Sequence, residues 1–81
     1  MGEIIQEPVG IETTLTQVKF IPSKMFWKQR TYQFLSCSMQ YSRFEGDVLV
    51  HIFCMTTSEA SMQIMLNTKT LRWMLQDIES I

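Results

Sequence analysis

Eighty-one residues, 46% of them hydrophobic and 19% charged, make one small domain whose core takes roughly 60% of the unfolded surface out of water, which excludes a two-domain enzyme. Three glycines and two prolines exclude a collagen-like or low-complexity chain. A net charge of −1 and a pI near 5.7 give no global attraction to nucleic acid or to an anionic membrane.

One alanine against eight isoleucines, four valines, eight threonines and nine aromatic residues favours strands over helices. Residues 1–12 hold three acids, Pro8 and two glycines, with apolar residues at irregular spacing, and read as an N-terminal arm. Residues 13–81 read as a single β domain. Leu15, Val18 and Phe20 among polar neighbours predict a first strand over Thr13 to Ile21, closed by Pro22 because proline lacks an N–H. The three-residue step from Leu15 to Val18 predicts a bulge or a late strand start. After a connection at Ser23 to Met25, a polar turn flanked by Phe26, Trp27 and Tyr32 reads as a hairpin corner. A second strand is expected from Thr31 to Tyr41, with a bulge near Phe34 and Leu35 where the apolar phase changes.

Phe44-Glu45-Gly46-Asp47 is the clearest turn. Val48 to Thr56 follows it, apolar on both faces except at His51, as in a central strand. A two-residue loop at Glu45-Gly46 would set Cys37 opposite Cys54; a three-residue loop closed by Gly46 would set it opposite Phe53. Met62, Ile64 and Leu66 mark a fourth strand. The last segment fits a strand through Leu71, Trp73 and Leu75, or a helix through Leu71, Met74, Leu75 and Ile78. Asp77 and Glu79 oppose a helix C-terminal dipole and favour the strand. The expected fold is therefore mainly β: a single small antiparallel sheet or an SH3-like partly open barrel of about five strands. The alternative is α+β with a C-terminal helix at about 68–79.

Two stretches carry a family likeness. Trp27-Lys28-Gln29-Arg30-Thr31-Tyr32, and Ile64-Met65-Leu66-Asn67 followed by Trp73-Met74-Leu75, resemble a family of short uncharacterised bacterial β domains. That family has a Trp-x-Gly-Arg-x-Tyr corner and a final hairpin ending in Trp-x-Leu. The resemblance spans Val18 to Leu75 and departs from the pattern at Gln29, where the family has glycine. It implies a small antiparallel β domain and no activity.

Two cysteines without a recognisable export leader point to free thiols and a cytoplasmic location. No apolar run is long enough to span a membrane, and Gln6 stands where a myristoylation pattern needs Ser or Thr. A thiol nucleophile needs an imidazole within reach, yet His51 and Cys54 have opposite strand parity; His51 shares a face with Cys37 only in the three-residue register. Two cysteines and one histidine cannot complete a four-ligand zinc site, and isolated glycines build no phosphate loop. Neither a catalytic residue, a metal nor a cofactor is expected.

Charge is segregated along the chain. Residues 13–44 contain Lys19, Lys24, Lys28, Arg30 and Arg43 and no acid, while the flanks are acidic. Lys19, Lys24, Trp27, Lys28, Arg30 and Tyr32 are the candidate contacts for a single-stranded nucleic acid, with cations along phosphates and aromatic rings under bases. Against this, such aromatics serve as core and edge lysines discourage aggregation. Seven methionines, with Met39, Met55, Met62, Met65 and Met74 on expected strands, mark a candidate partner face, since adaptable Met is frequent where an apolar surface meets another chain. The leading expectation is a non-enzymatic β interaction module that binds itself or another protein through that face and an exposed strand edge. A small nucleic-acid-binding barrel is the alternative.

Overall fold

Period-two alternation and short turns fold this chain into strands. A computed structural model describes residues 3–15 and 20–80, and among these seven strands form: β1 (Glu3–Leu15), β2 (Phe20–Trp27), β3 (Arg30–Gln33), β4 (Ser36–Glu45), β5 (Val48–Thr56), β6 (Ala60–Asn67) and β7 (Arg72–Ser80). They make one antiparallel sheet in the order β3-β2-β1-β7-β6-β5-β4, curled into a half-barrel. The strand count is seven rather than about five. The C-terminal segment is strand β7, not the alternative helix at about 68–79, because Ile64, Leu66 and Asn67 of β6 pair with Leu75, Trp73 and Arg72.

Residues 3–12 are not an arm. They form most of β1, which lies in the middle of the sheet and joins its halves: Glu3 to Val9 pair with β7, and Gly10 to Leu15 pair with β2. The irregular spacing that hides this strand comes from a bulge. One extra β1 residue lies between Ile4 and Glu7, with Gln6 in the left-handed region at φ 62°. Pro8 is tolerated because β2 pairing begins only at Gly10, so its missing N–H leaves no ladder bond unmade. On β7, Gln76 is likewise an extra residue between Leu75 and Asp77. The two bulged side chains meet, Gln6 Nε2 donating to Gln76 Oε1 at 3.5 Å. Bulges bend a strand and increase its twist, and this facing pair lies where the sheet must curl.

Pro22 does not end a strand but sits inside β2, buried, at another bulge: Glu12 pairs with Lys24 and Thr13 with Pro22. That leaves Ser23 as the extra residue, and its hydroxyl donates to the Glu12 carbonyl at 3.0 Å. Thus Ser23 to Met25 belong to β2 rather than to a connection. Part of the expected first strand, residues 16–19 with Lys19, lies outside the described residues. The phase change at Phe34 and Leu35 is a change of strand partner rather than a bulge. Phe34 donates to the Ser23 carbonyl on β2 at 3.0 Å, and Leu35 donates to the Thr56 carbonyl on β5 at 2.7 Å. The chain crosses there from one edge of the sheet to the other.

The β4–β5 turn is Gly46-Asp47, with Glu45 opposite Val48. Gly46 at φ 64° satisfies the positive φ that a type II′ hairpin turn needs at its first central position. Neither expected register is therefore found. A bulge at Ser38 brings Cys37 opposite Met55, and Met39 lies opposite Cys54. The β6–β7 turn is longer: Asn67 Oδ1 accepts from Lys69 N at 2.9 Å and Thr70 N at 3.1 Å, and Leu71 N donates to the Asn67 carbonyl at 2.7 Å. Leu71 takes φ 60° with its side chain 72% exposed.

Inside the curl, Phe53 and Met55 of β5 meet Met62 and Ile64 of β6, Leu75 of β7, Met25 of β2 and Tyr32 of β3. Phe53 packs on Trp73 with ring centroids 5.5 Å apart. The opposite face of β5 carries Val50 and Ile52, which form a second cluster with Met65, flanked by Val48 and Met74. Two-sided burial of β5, expected from its sequence, is thus present.

The β2–β3 turn is strained. Trp27 pairs with Arg30, so Lys28 and Gln29 are the two turn residues, at φ 51° and 62°. Positive φ at both is the type I′ geometry that favours Asn-Gly. Replacing Gln29→Gly is expected to raise stability by about 1 kcal/mol, read as a higher urea midpoint at unchanged slope. Phe53→Ala, which empties the centre of the core, is expected to lower stability by about 3–5 kcal/mol in the same measurement.

Candidate functional site

The basic and aromatic residues gather on the β2–β3 hairpin, where the rings are covered rather than offered. Trp27 and Tyr32 stand 6.3 Å apart between centroids. Lys28 Nζ lies 4.7 Å above the Trp27 ring and Arg30 Cζ lies 5.1 Å from the Tyr32 ring; cations take this place because the ring face is the negative end of its quadrupole. Tyr32 is only 8% exposed and belongs to the core. Trp27 packs at the core margin, its Nε1 buried without a hydrogen-bond partner among the described residues. Arg30 donates to Glu59 Oε2 at 2.7 Å, and that bond, ahead of the nearby Tyr32 and Glu59 charges, raises the Arg30 pKa above its ordinary value. Lys24 is half-buried in the middle of β2, and Lys28 and Arg30 are exposed at the turn. Lys19 lies outside the described residues. The structure brings Trp27, Lys28, Arg30 and Tyr32 together, but a base could stack on Tyr32 only by displacing core contacts.

The methionine face is corrected by the register. Met55 and Met62 point into the main core, 1% and 3% exposed, while Met65 and half-buried Met74 sit in the cluster on the other side of the sheet. Only Met39, at 57%, is well exposed. The five alternate across a pleated sheet, so no single surface collects them.

The thiols are separate in environment. Cys37 is exposed, its Sγ donating to the Met39 carbonyl at 3.3 Å. Cys54 is half-buried with Gln63 Oε1 at 4.0 Å. Burial, then the neighbouring Cys37 and Asp77, push the Cys54 pKa up. His51 is engaged by Ser42, with 2.6 Å between Oγ and Nδ1, and not by a thiol. Among the described residues no group of three or more His, Cys, Asp or Glu could hold a metal ion, and no helix is long and apolar enough to cross a membrane. A shallow depression of about 210 Å³ lies beside Cys54, lined in part by Gln63, Asp77 and Glu79.

The feature that sequence reasoning missed is the edge formed by β4. All ten of its residues are exposed, and among the described residues β5 is its only strand neighbour. Glu45 and Val48 flank a two-residue turn and so exchange both ladder hydrogen bonds. Alternation then directs the N–H and C=O groups of Arg43 and Tyr41 to β5. Those of Phe44, Ser42 and Gln40 point away from the sheet. Met39, Tyr41 and Phe44 are exposed along the same strand, Phe44 at 69%, and Arg43 is held by Glu45 at 3.0 Å. The sequence marks the strand, since Ser36, Ser38, Gln40 and Ser42 alternate with Cys37, Met39 and Tyr41, but that alternation does not mark it as an edge.

No family model matches the chain, and neither a curated protein nor a solved structure matches it.

The two thiols are expected to react unequally. With iodoacetamide at mildly alkaline pH, Cys37 alkylates first and Cys54 lags, read by mass spectrometry of the peptides, because the raised pKa and burial reduce the accessible thiolate. The same shift has a sign in stability. The Cys54 contribution is intact below the ordinary thiol pKa and declines as pH rises through and above it, because the unfolded thiol ionises first.

Proposed function

We propose that the chain is a non-enzymatic interaction module that docks an extended protein strand along the free edge of β4. The carrying observation is that edge: ten residues long, exposed throughout and, among the described residues, paired on one side only. Natural edges are blunted by shortness, by charge or proline, by bulges or by a covering element. β3, the opposite edge, is four residues long. β4 contains neither lysine nor proline; its bulge lies at Ser38, outside the regular segment from Met39 to Glu45, and its charges, Arg43 and Glu45, are paired with each other. Strand addition draws affinity from main-chain hydrogen bonds and specificity from alternate side chains. Here Gln40, Ser42 and Phe44 supply the bonds, and Met39, Tyr41 and Phe44 supply apolar contacts on the two faces.

This reading keeps the exposed strand edge of the sequence expectation and replaces the methionine face with β4. The nucleic-acid alternative draws less support, because Arg30 is paired with Glu59 and Tyr32 is in the core. An SH3-like closure is not needed, since an open edge is what docks. The resemblance to the short bacterial β domains gains one support: Gln29, at the glycine of the family pattern, has positive φ.

A displayed library of twelve-residue peptides selected on the protein tests the reading. Enriched peptides are expected to alternate polar and apolar residues, to shift the amides of Gln40, Ser42 and Phe44 in a two-dimensional NMR spectrum, and to lose binding to a folded Gln40→Pro variant. Peptides that map to the β2–β3 hairpin, or that bind Gln40→Pro equally well, would overturn it.

A further inference from the structure

The occupant of the β4 edge follows from how β4 reads against itself. We infer that a second copy of this chain docks there, β4 against β4 in antiparallel order, with a two-fold axis through Ser42; this rests on the strand-docking reading above. The regular part of β4 runs from Met39 to Glu45, between the bulge at Ser38 and the turn at Gly46, and Ser42 is its midpoint. A two-fold contact is self-complementary by construction, and an axis at Ser42 engages that whole segment.

In this register Gln40 lies opposite the second copy's Phe44, and Ser42 opposite the second copy's Ser42. The outward backbone groups of each copy then meet as about six ladder hydrogen bonds. On the other face of the ribbon Arg43 lies opposite the second copy's Tyr41, twice by symmetry, so that a cation meets the negative face of a ring. This chain already uses that pairing within itself, Lys28 over Trp27 and Arg30 over Tyr32. Glu45, bonded to Arg43 at 3.0 Å, offsets the approach of the two arginines. Moving the axis one residue to Arg43 sets like charges directly opposite, which is unfavourable. Moving it toward Ser38 draws the bulge into the ladder, where it interrupts pairing. Pairing at Ser42 also shields Met39, Tyr41 and Phe44 from water and makes the two half-barrels one continuous sheet.

Light scattering after size exclusion, from micromolar to millimolar protein, is the first test. The mass is expected to rise toward twice the 9.5 kDa of one chain, and Gln40→Pro, which removes an outward N–H donor, is expected to halve it. If Gln40→Pro loses its amide dispersion, Gln40→Lys, which adds a charge at the same edge, takes its place. In a background of Cys37→Ser and Cys54→Ser, Ser42→Cys is expected to form a reducible dimer under mild oxidation. Lys28→Cys, on a distant turn, is expected to stay monomeric. A single-chain mass at every concentration, or Ser42→Cys dimerising no faster than Lys28→Cys, would overturn the inference. If peptides still dock on β4 of that monomer, strand docking stands and only the second copy is removed as its occupant.

Discussion

The pairing of β1 is the constraint on which the rest of the structure depends. Its first half belongs to the ladder with β7 and its second half to the ladder with β2, so among the described strands β1 supplies the ladder that joins the β1–β2–β3 meander to the β4–β5–β6–β7 meander. Such a strand cannot stay straight. The bulges at Gln6 and Gln76 supply the bend, and their side chains bond to each other across the two strands. Gln76 is also buried, its Nε2 at 3.5 Å from the Met65 sulfur, so one amide ties the bend to the cluster of Val50, Ile52 and Met65. The curl then brings Tyr32 and Met25, from one half, onto Phe53 and Leu75, from the other.

Closing the core this way leaves the two edges unequal. Phe34 and Leu35 carry the chain from β3 to β4 with one hydrogen bond toward each half, after which β4 runs along β5 with no further strand beside it among the described residues. Its side chains are half polar because neither of its faces is covered. β5, next to it, is apolar on both faces because both are buried, one in the core and one against Met65. A strand that is well packed beside a strand that is wholly exposed gives the open edge a rigid backing, which preorganises its outward N–H and C=O groups for a partner.

Several local conformations run against residue preference. Gln6, Lys28, Gln29 and Leu71 all take positive φ, a region glycine and asparagine occupy at lower cost. At Gln6 the bend of the sheet demands it. At Leu71 the Asn67 side chain holds the preceding turn by accepting from Lys69 and Thr70. At the β5–β6 turn the same type of local satisfaction occurs without strain: buried Thr57 uses its hydroxyl to accept from Glu59 N and Ala60 N and to donate to the Ala60 carbonyl. Buried turns of this kind are stable only when each backbone group has a partner.

The sequence by itself determined the class of the fold, because strand formers, a lone alanine and period-two alternation act within a few residues of one another. It determined β5 and its two-sided burial through Val48 to Met55, the turn at Gly46, and the strand marked by Met62, Ile64 and Leu66, which is β6. Opposite parity was also enough to separate His51 from Cys54. What only the tertiary structure decided were the features that depend on bulges and on partners distant in the chain. β1 was hidden by the extra residue near Gln6, and Pro22 read as a stop because its bulge partners, Glu12 and Thr13, lie on another strand. Each bulge shifts parity by one residue, which also moved Cys37 to Met55; the methionines, by contrast, divide by plain alternation, since Met62 and Met65 are an odd number apart on β6 and pair with Met55 and Met74. The β4 edge was invisible for the same reason: alternation along a strand records how its faces are solvated, whereas edge or interior position depends on whether another strand arrives beside it.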